Sequence, residues 1–116
     1  MRKDIVIVGL NHRSAPIEVR ESVAFENAYI PGALARLREY RTIDEGVILS
    51  TCNRVEVVAA AGDCQAASDD ISAFFNDQKT HRLAQSLDGH IYVYRGPDAV
   101  RHLFRVAASL DSMVVG

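Results

Sequence analysis

The chain has 116 residues, 48% of them hydrophobic and 24% charged, with a formal net charge of −2. That length fits one domain able to bury its own core, and the composition excludes disordered and collagen-like classes. The charge supplies no broad positive field, so strong stand-alone RNA binding is not expected and any nucleic-acid contact has to be local or shared with parts outside this sequence.

No apolar stretch approaches the ~20 residues that a bilayer span needs. Met1-Arg2-Lys3 runs directly into Asp4 and a short strand pattern, with no signal-peptide core. The expected compartment is therefore the cytoplasm, with no membrane partner. Cys52 and Cys64 are too few for a disulfide framework and sit in no CxxC, so both read as free thiols.

Residues 4–10 form a nearly continuous apolar run, the pattern of a strand buried on both faces. A loop over 11–16 follows, since Pro16 biases Ala15 away from helix and Asn11, His12 and Ser14 compete for backbone hydrogen bonds. Residues 17–25 begin as a short helical turn. A longer helix carries Ile30, Leu34, Leu37 and Tyr40 on one stripe, and Pro31, tolerated only in a first turn, sets its start close to Tyr29. The β-branched runs 46–49 and 55–60 read as a hairpin around Ser50-Thr51-Cys52-Asn53-Arg54. Ala67, Ile71, Phe74 and Phe75 give a helix over 64–77, residues 78–89 read as a loop, and 90–94 as a strand. A last helix opens at Pro97-Asp98 with Val100, Leu103, Phe104, Ala107 and Leu110 on one apolar stripe. The β-α-β-β-α-β succession predicts an α+β domain with the ferredoxin-like split arrangement: a four-stranded antiparallel sheet, two helices on one face, and an added C-terminal helix.

The polar interruption at 50–54 places the Cys52 thiol at a strand-to-strand turn between a hydroxyl, an amide and a guanidinium, a setting suited to a nucleophile. His102 falls far from the apolar stripe of its helix, near Arg105 and Ser109, so it is read as no core histidine. It is either a solvated surface residue or a base aimed into a cleft. Arg54 is either a strand-end charge or a clamp for a carboxylate. A cysteine phosphatase would need an arginine where Val58 stands, which excludes that class. His12, His81 and His90 show no metal-ligand spacing with either cysteine, and Cys64 reads as a packing residue. No glycine-rich dinucleotide or P-loop motif follows a strand, so a redox cofactor would have to come from elsewhere.

Gly9-Leu10-Asn11-His12-Arg13-Ser14-Ala15-Pro16, Arg20-Glu21, Ala24-Phe25, Ser50-Thr51-Cys52-Asn53-Arg54-Val55-Glu56, His102-Leu103-Phe104-Arg105-Val106-Ala107-Ala108 and Leu110-Asp111-Ser112-Met113-Val114 together resemble the N-terminal domain of the glutamyl-tRNA reductase family, in order along the whole chain. The departures are small: Ser109 stands where glycine is usual, and Val58 where an aromatic is common. The resemblance implies an NADPH-dependent oxidoreductase that converts glutamyl-tRNA to glutamate-1-semialdehyde through a cysteine thioester, in tetrapyrrole biosynthesis. It implies Cys52 as nucleophile, His102 as a residue needed for activity, and a substrate site of Thr51, Cys52, Asn53, Arg54 and Ser112, with Arg54 on a carboxylate. It also implies that residues 1–116 are the catalytic domain alone. The NADPH-binding and dimerisation domains of the homodimeric family enzyme lie outside this sequence, so no cofactor site is expected within it.

On one straight helix, residues 102 and 112 would be roughly 15 Å apart at 1.5 Å per residue, too far for both to serve one small amino acid. A helix break near 109–111, with Asp111 capping a new helix, is therefore expected. Two other readings stand beside the reductase: a non-catalytic binding module of the same fold in which Cys52 is spent, and an independent cysteine hydrolase or transferase. A reactive Cys52 argues against the first of these.

Overall fold

A computed structural model describes residues 2–78 and 87–115, with side chains through Ser109. Four strands, β1 (Asp4–Asn11), β2 (Glu45–Ser50), β3 (Arg54–Ala61) and β4 (Tyr92–Arg95), form one sheet in the order β2-β3-β1-β4, antiparallel throughout. The helices are α1 (Ile17–Val23), α2 (Ile30–Arg38) led by a 3-10 turn at Asn27–Tyr29, α3 (Cys64–Gln78) and α4 (Gly96–Val115). The domain is thus α+β, as its succession of patterns predicts. Most of the expected 78–89 loop lies outside the described residues.

Side chains alternate across a strand, so the register assigns each residue to a face. Val6, Val8 and Leu10 of β1 stand opposite Ala59, Val57 and Val55 of β3. With Ile48 they meet Val19, Val23, Leu37, Ile71 and Phe75 from α1, α2 and α3 in one buried cluster. Ile7, Gly9 and Asn11 point the other way, beside Val58, Glu56 and Arg54. Helix α4 packs on β1 and β4 and covers part of this second face. The central strand is therefore buried on both sides, as its unbroken apolar run requires.

Local chemistry sets the ends of these elements. Asp63 accepts a hydrogen bond from the Ala66 N–H and caps α3. Gly96, at φ +54, turns the chain directly from β4 into α4, with Pro97 in the first turn. The fourth strand begins at Tyr92, two residues later than expected. His90 is drawn into a turn, its N–H bonded to the Leu87 carbonyl and its Nδ1 to that of Ser14.

Two expectations about the last helix are overturned. Helix α4 runs unbroken from Gly96 to Val115, with no interruption at 109–111. Its buried face is not the apolar stripe either. Ala99, His102 and Val106 are buried, whereas Val100 is 40% and Phe104 73% exposed. Periodicity locates an apolar stripe but says nothing of what the opposite face meets. Here that face meets a sheet surface bearing a carboxylate and two tyrosines, so a histidine is the residue that fits.

Gly9 shows how closely this second face is packed. A Cβ there would lie 2.6 Å from the Val55 carbonyl oxygen and 2.7 Å from Cγ of Glu56. Gly9→Ala is expected to destabilise the domain by about 1–3 kcal/mol through overpacking, measurable as a lower urea midpoint.

Candidate active site

The hairpin turn is held by its own hydroxyl. Thr51 N–H donates to the Arg54 carbonyl at 2.8 Å, and Thr51 Oγ1 accepts from the Asn53 and Arg54 N–H groups, each at 3.2 Å. Ser50 Oγ accepts from the Phe25 N–H at 3.0 Å, tying the strand end to the chain after α1. Two of the polar residues around the thiol therefore shape the loop. The His12 N–H donates to the Asn53 carbonyl at 2.9 Å, so the 11–14 and 51–53 loops lie side by side. Asn11 Oδ1 in turn accepts from the Arg13 and Ser14 N–H groups.

Cys52 stands exposed in this turn, and among the described residues its thiol has no hydrogen-bond partner. Cys64 is half-buried and unpaired. Burial, aided by Asp4 and Asp63 against an opposing Arg95, pushes its thiol pKa up, which suits a packing residue.

A cavity of about 660 Å³ opens between the 11–14 loop, the strand ends and α4. Arg54, Tyr92, Tyr94, His102, Arg105 and Ser109 contribute to its wall. Of the residues singled out from sequence, Arg54 and His102 meet here. Cys52 is two residues from Arg54 but is not part of the lining. Residues 102, 105 and 109 recur at helical spacing on the cavity side of α4, so this wall already extends roughly 10 Å along the helix at 1.5 Å per residue. Position 112 lies one turn further, and its side chain is outside the description.

Beneath the cavity is a polar cluster that sequence reading missed. Glu56, 2% exposed, accepts a hydrogen bond from the Tyr92 hydroxyl at 2.7 Å, and the same oxygen, Oε2, is bonded to Nε2 of His102. Its other oxygen lies 3.6 Å from Arg54 Nη1. His102 is only 5% exposed, its ring stacked on Tyr94 with centroids 4.4 Å apart, and Arg105 lies over the same tyrosine at 5.8 Å. Burial, reinforced by the Glu56 charge and hydrogen bond, raises the Tyr92 phenol well above its ordinary pKa, so it remains a donor. One signal for this cluster was available: an acidic residue among the valines of β3, and tyrosines two apart in β4. No group of three or more metal-ligating side chains forms among the described residues, and no described helix is long and apolar enough to cross a membrane.

These features define an α+β domain with a thiol-bearing turn beside a cavity walled by a histidine, two tyrosines and arginines, with a carboxylate buried beneath it. Comparison with known proteins then places it. The model for the N-terminal domain of glutamyl-tRNAGlu reductase matches residues 8–116. Glutamyl-tRNA reductase of Pelobacter propionicus is 48% identical over 114 residues, 97% of this chain and 26% of the relative. That of Desulfatibacillum aliphaticivorans is 44% identical over 113 residues, again 97% and 26%. The solved glutamyl-tRNA reductase from Methanopyrus kandleri superimposes with a TM-score of 0.61 at 36% identity, covering 94% of this chain and 23% of that one. The chain belongs to the glutamyl-tRNA reductase N-terminal domain family. It spans about a quarter of the length of these relatives.

Proposed function

We propose that this chain is the catalytic domain of an NADPH-dependent glutamyl-tRNA reductase, and that it performs the acyl-transfer half of the reaction. The observation that carries this reading is the juxtaposition, in a chain of this family, of an exposed thiol turn and a cavity walled by Arg54 and His102. Strand order β2-β3-β1-β4 supports the ferredoxin-like arrangement, in which the ends of β1 and β3 bring the two loops together.

In the proposed reaction the Cys52 thiolate attacks the carbonyl carbon of the glutamyl ester. A C–S bond forms, the ester C–O bond breaks, and the terminal ribose oxygen of tRNA leaves with the proton that Cys52 gave up, carried by His102. Arg54 pairs with the glutamyl side-chain carboxylate, for which a guanidinium fork is well shaped. Thr51 and Asn53 hold the thiol turn and contact the substrate, and Ser112 extends the glutamate site along α4. Arg13, Arg54 and Arg105 around the cavity supply the local positive charge that the ester end of a tRNA requires, despite the net charge of −2.

The nicotinamide site does not fit these residues. The turn after β1 lacks a glycine-rich cradle, and its Arg13 and Ser14 N–H groups are occupied by Asn11 Oδ1. NADPH, which supplies the hydride, is accordingly assigned to a separate domain, and homodimerisation to another. The proposed setting is cytoplasmic.

Iodoacetamide is expected to modify exposed Cys52 well ahead of half-buried Cys64, and the singly modified protein to lose cleavage of glutamyl-tRNA. Peptide mapping with a deacylation assay checks both. Unimpaired cleavage after complete Cys52 modification would count against the thiol as nucleophile, and no cleavage by the unmodified protein would favour a binding module.

A further inference from the structure

Glu56 is an unusual residue for the centre of a sheet. A carboxylate taken out of water is strongly disfavoured unless hydrogen bonds and a neighbouring positive charge replace its hydration. Here both are present. Oε2 accepts from the Tyr92 hydroxyl and from His102 Nε2, and Oε1 faces Arg54. Room for the side chain comes from Gly9, its cross-strand neighbour, where any Cβ would collide with Glu56 Cγ. Such a set of fitted contacts holds the carboxylate in one place.

The other nitrogen of His102 faces a donor. Nδ1 lies 3.5 Å from Nη2 of Arg105. A guanidinium has donors and no acceptor, so Nδ1 presents its lone pair. Nε2 must then carry the proton, which is what a carboxylate at that position demands. The two sides of the ring require the same tautomer.

We propose that Glu56 is a positioning residue: it fixes His102 as the Nε2–H tautomer and leaves the Nδ1 lone pair on the side of Arg105, which like His102 lines the cavity. Stacking on Tyr94 sets the plane of the ring, and Glu56 sets its rotation within that plane. When Nδ1 takes the thiol proton, the carboxylate faces the positive charge that the ring acquires. The contribution to rate rests on the acyl-transfer reading above, whereas the tautomer assignment does not.

Two measurements test this. Nitrogen NMR of the imidazole in the unmodified protein is expected to show the proton on Nε2, and Glu56→Gln to produce a mixture of tautomers. A native ring protonated on Nδ1 would overturn the proposal without any variant having to fold. In deacylation of glutamyl-tRNA, Glu56→Gln is expected to lower kcat by roughly 10²-fold, the low end of a general base's usual contribution, with KM within about twofold. Glu56→Asp, which keeps the charge, is expected to recover part of that loss. Equal kcat in native and Glu56→Gln proteins, or a Gln variant no worse than Asp, would overturn the role. Failure of the acyl-transfer reading looks different: the native protein would leave the ester intact while its His102 still carried the Nε2 proton, supporting the Glu56 assignment and removing the reaction it serves.

Discussion

Replacing Cys52 by serine is expected to lower glutamyl-tRNA deacylation by more than about 10³-fold, the scale on which loss of a covalent nucleophile is felt. A hydroxyl is a weak nucleophile near neutral pH unless a base is placed against it. Among the described residues nothing is hydrogen-bonded to the residue 52 side chain, and a hydroxyl, far less acidic than a thiol, depends much more on a base held against it. The serine product would also be an oxygen ester, no more reactive than the substrate. Because Cys52 is exposed and stands outside the core cluster, the thermal midpoint should stay within about 2 °C of the native value, surface substitutions being close to neutral in stability. The variant therefore separates chemistry from folding cleanly.

His102→Asn is expected to cost about 10²- to 10⁴-fold in the same assay, the usual range for a general acid or base. Asparagine is the informative choice because its amide still offers a donor to Glu56. Phenylalanine would strand the buried carboxylate and destabilise the fold by about 3 kcal/mol or more, confusing stability with rate. A His102→Asn protein that melts normally, binds substrate with unchanged KM and turns over slowly is the expected outcome. Deacylation at the native rate would remove His102 from the mechanism.

Most of the fold was readable because its signals are local. The apolar run of β1, the β-branched hairpin arms, Pro31 in the first turn of α2 and the Phe74-Phe75 stripe of α3 each state a preference that packing reinforces. The last helix was misread for a physical reason. Its most apolar side, through Val100 and Phe104, faces outward, and its buried side carries His102 because the sheet beneath it is polar. Which residue of one element meets which of another is set by register, and Glu56 beneath His102 depends on the pairing of Gly9 with Glu56 and with Tyr92. Neither pairing is written in any single stretch. Arg54 and His102 were each singled out as candidates, but their common cavity, and the carboxylate between them, became visible only when α4 folded back across β4 and β1.

The continuous α4 also changes how the substrate site is understood. An unbroken helix keeps residues 102 and 112 roughly 15 Å apart at 1.5 Å per residue, more than one glutamyl group spans, so under the proposed function the two would meet different parts of the substrate.

Transfer of the glutamyl group to Cys52 is detected by mixing the protein with glutamyl-tRNA in the absence of NADPH, quenching in acid and mapping the peptides by mass. One glutamyl group attached to the Cys52 peptide, labile to hydroxylamine and missing from the Cys52→Ser protein, is the predicted result. An unmodified Cys52 peptide accompanied by full release of tRNA would mean that the ester is cleaved without passing through the thiol.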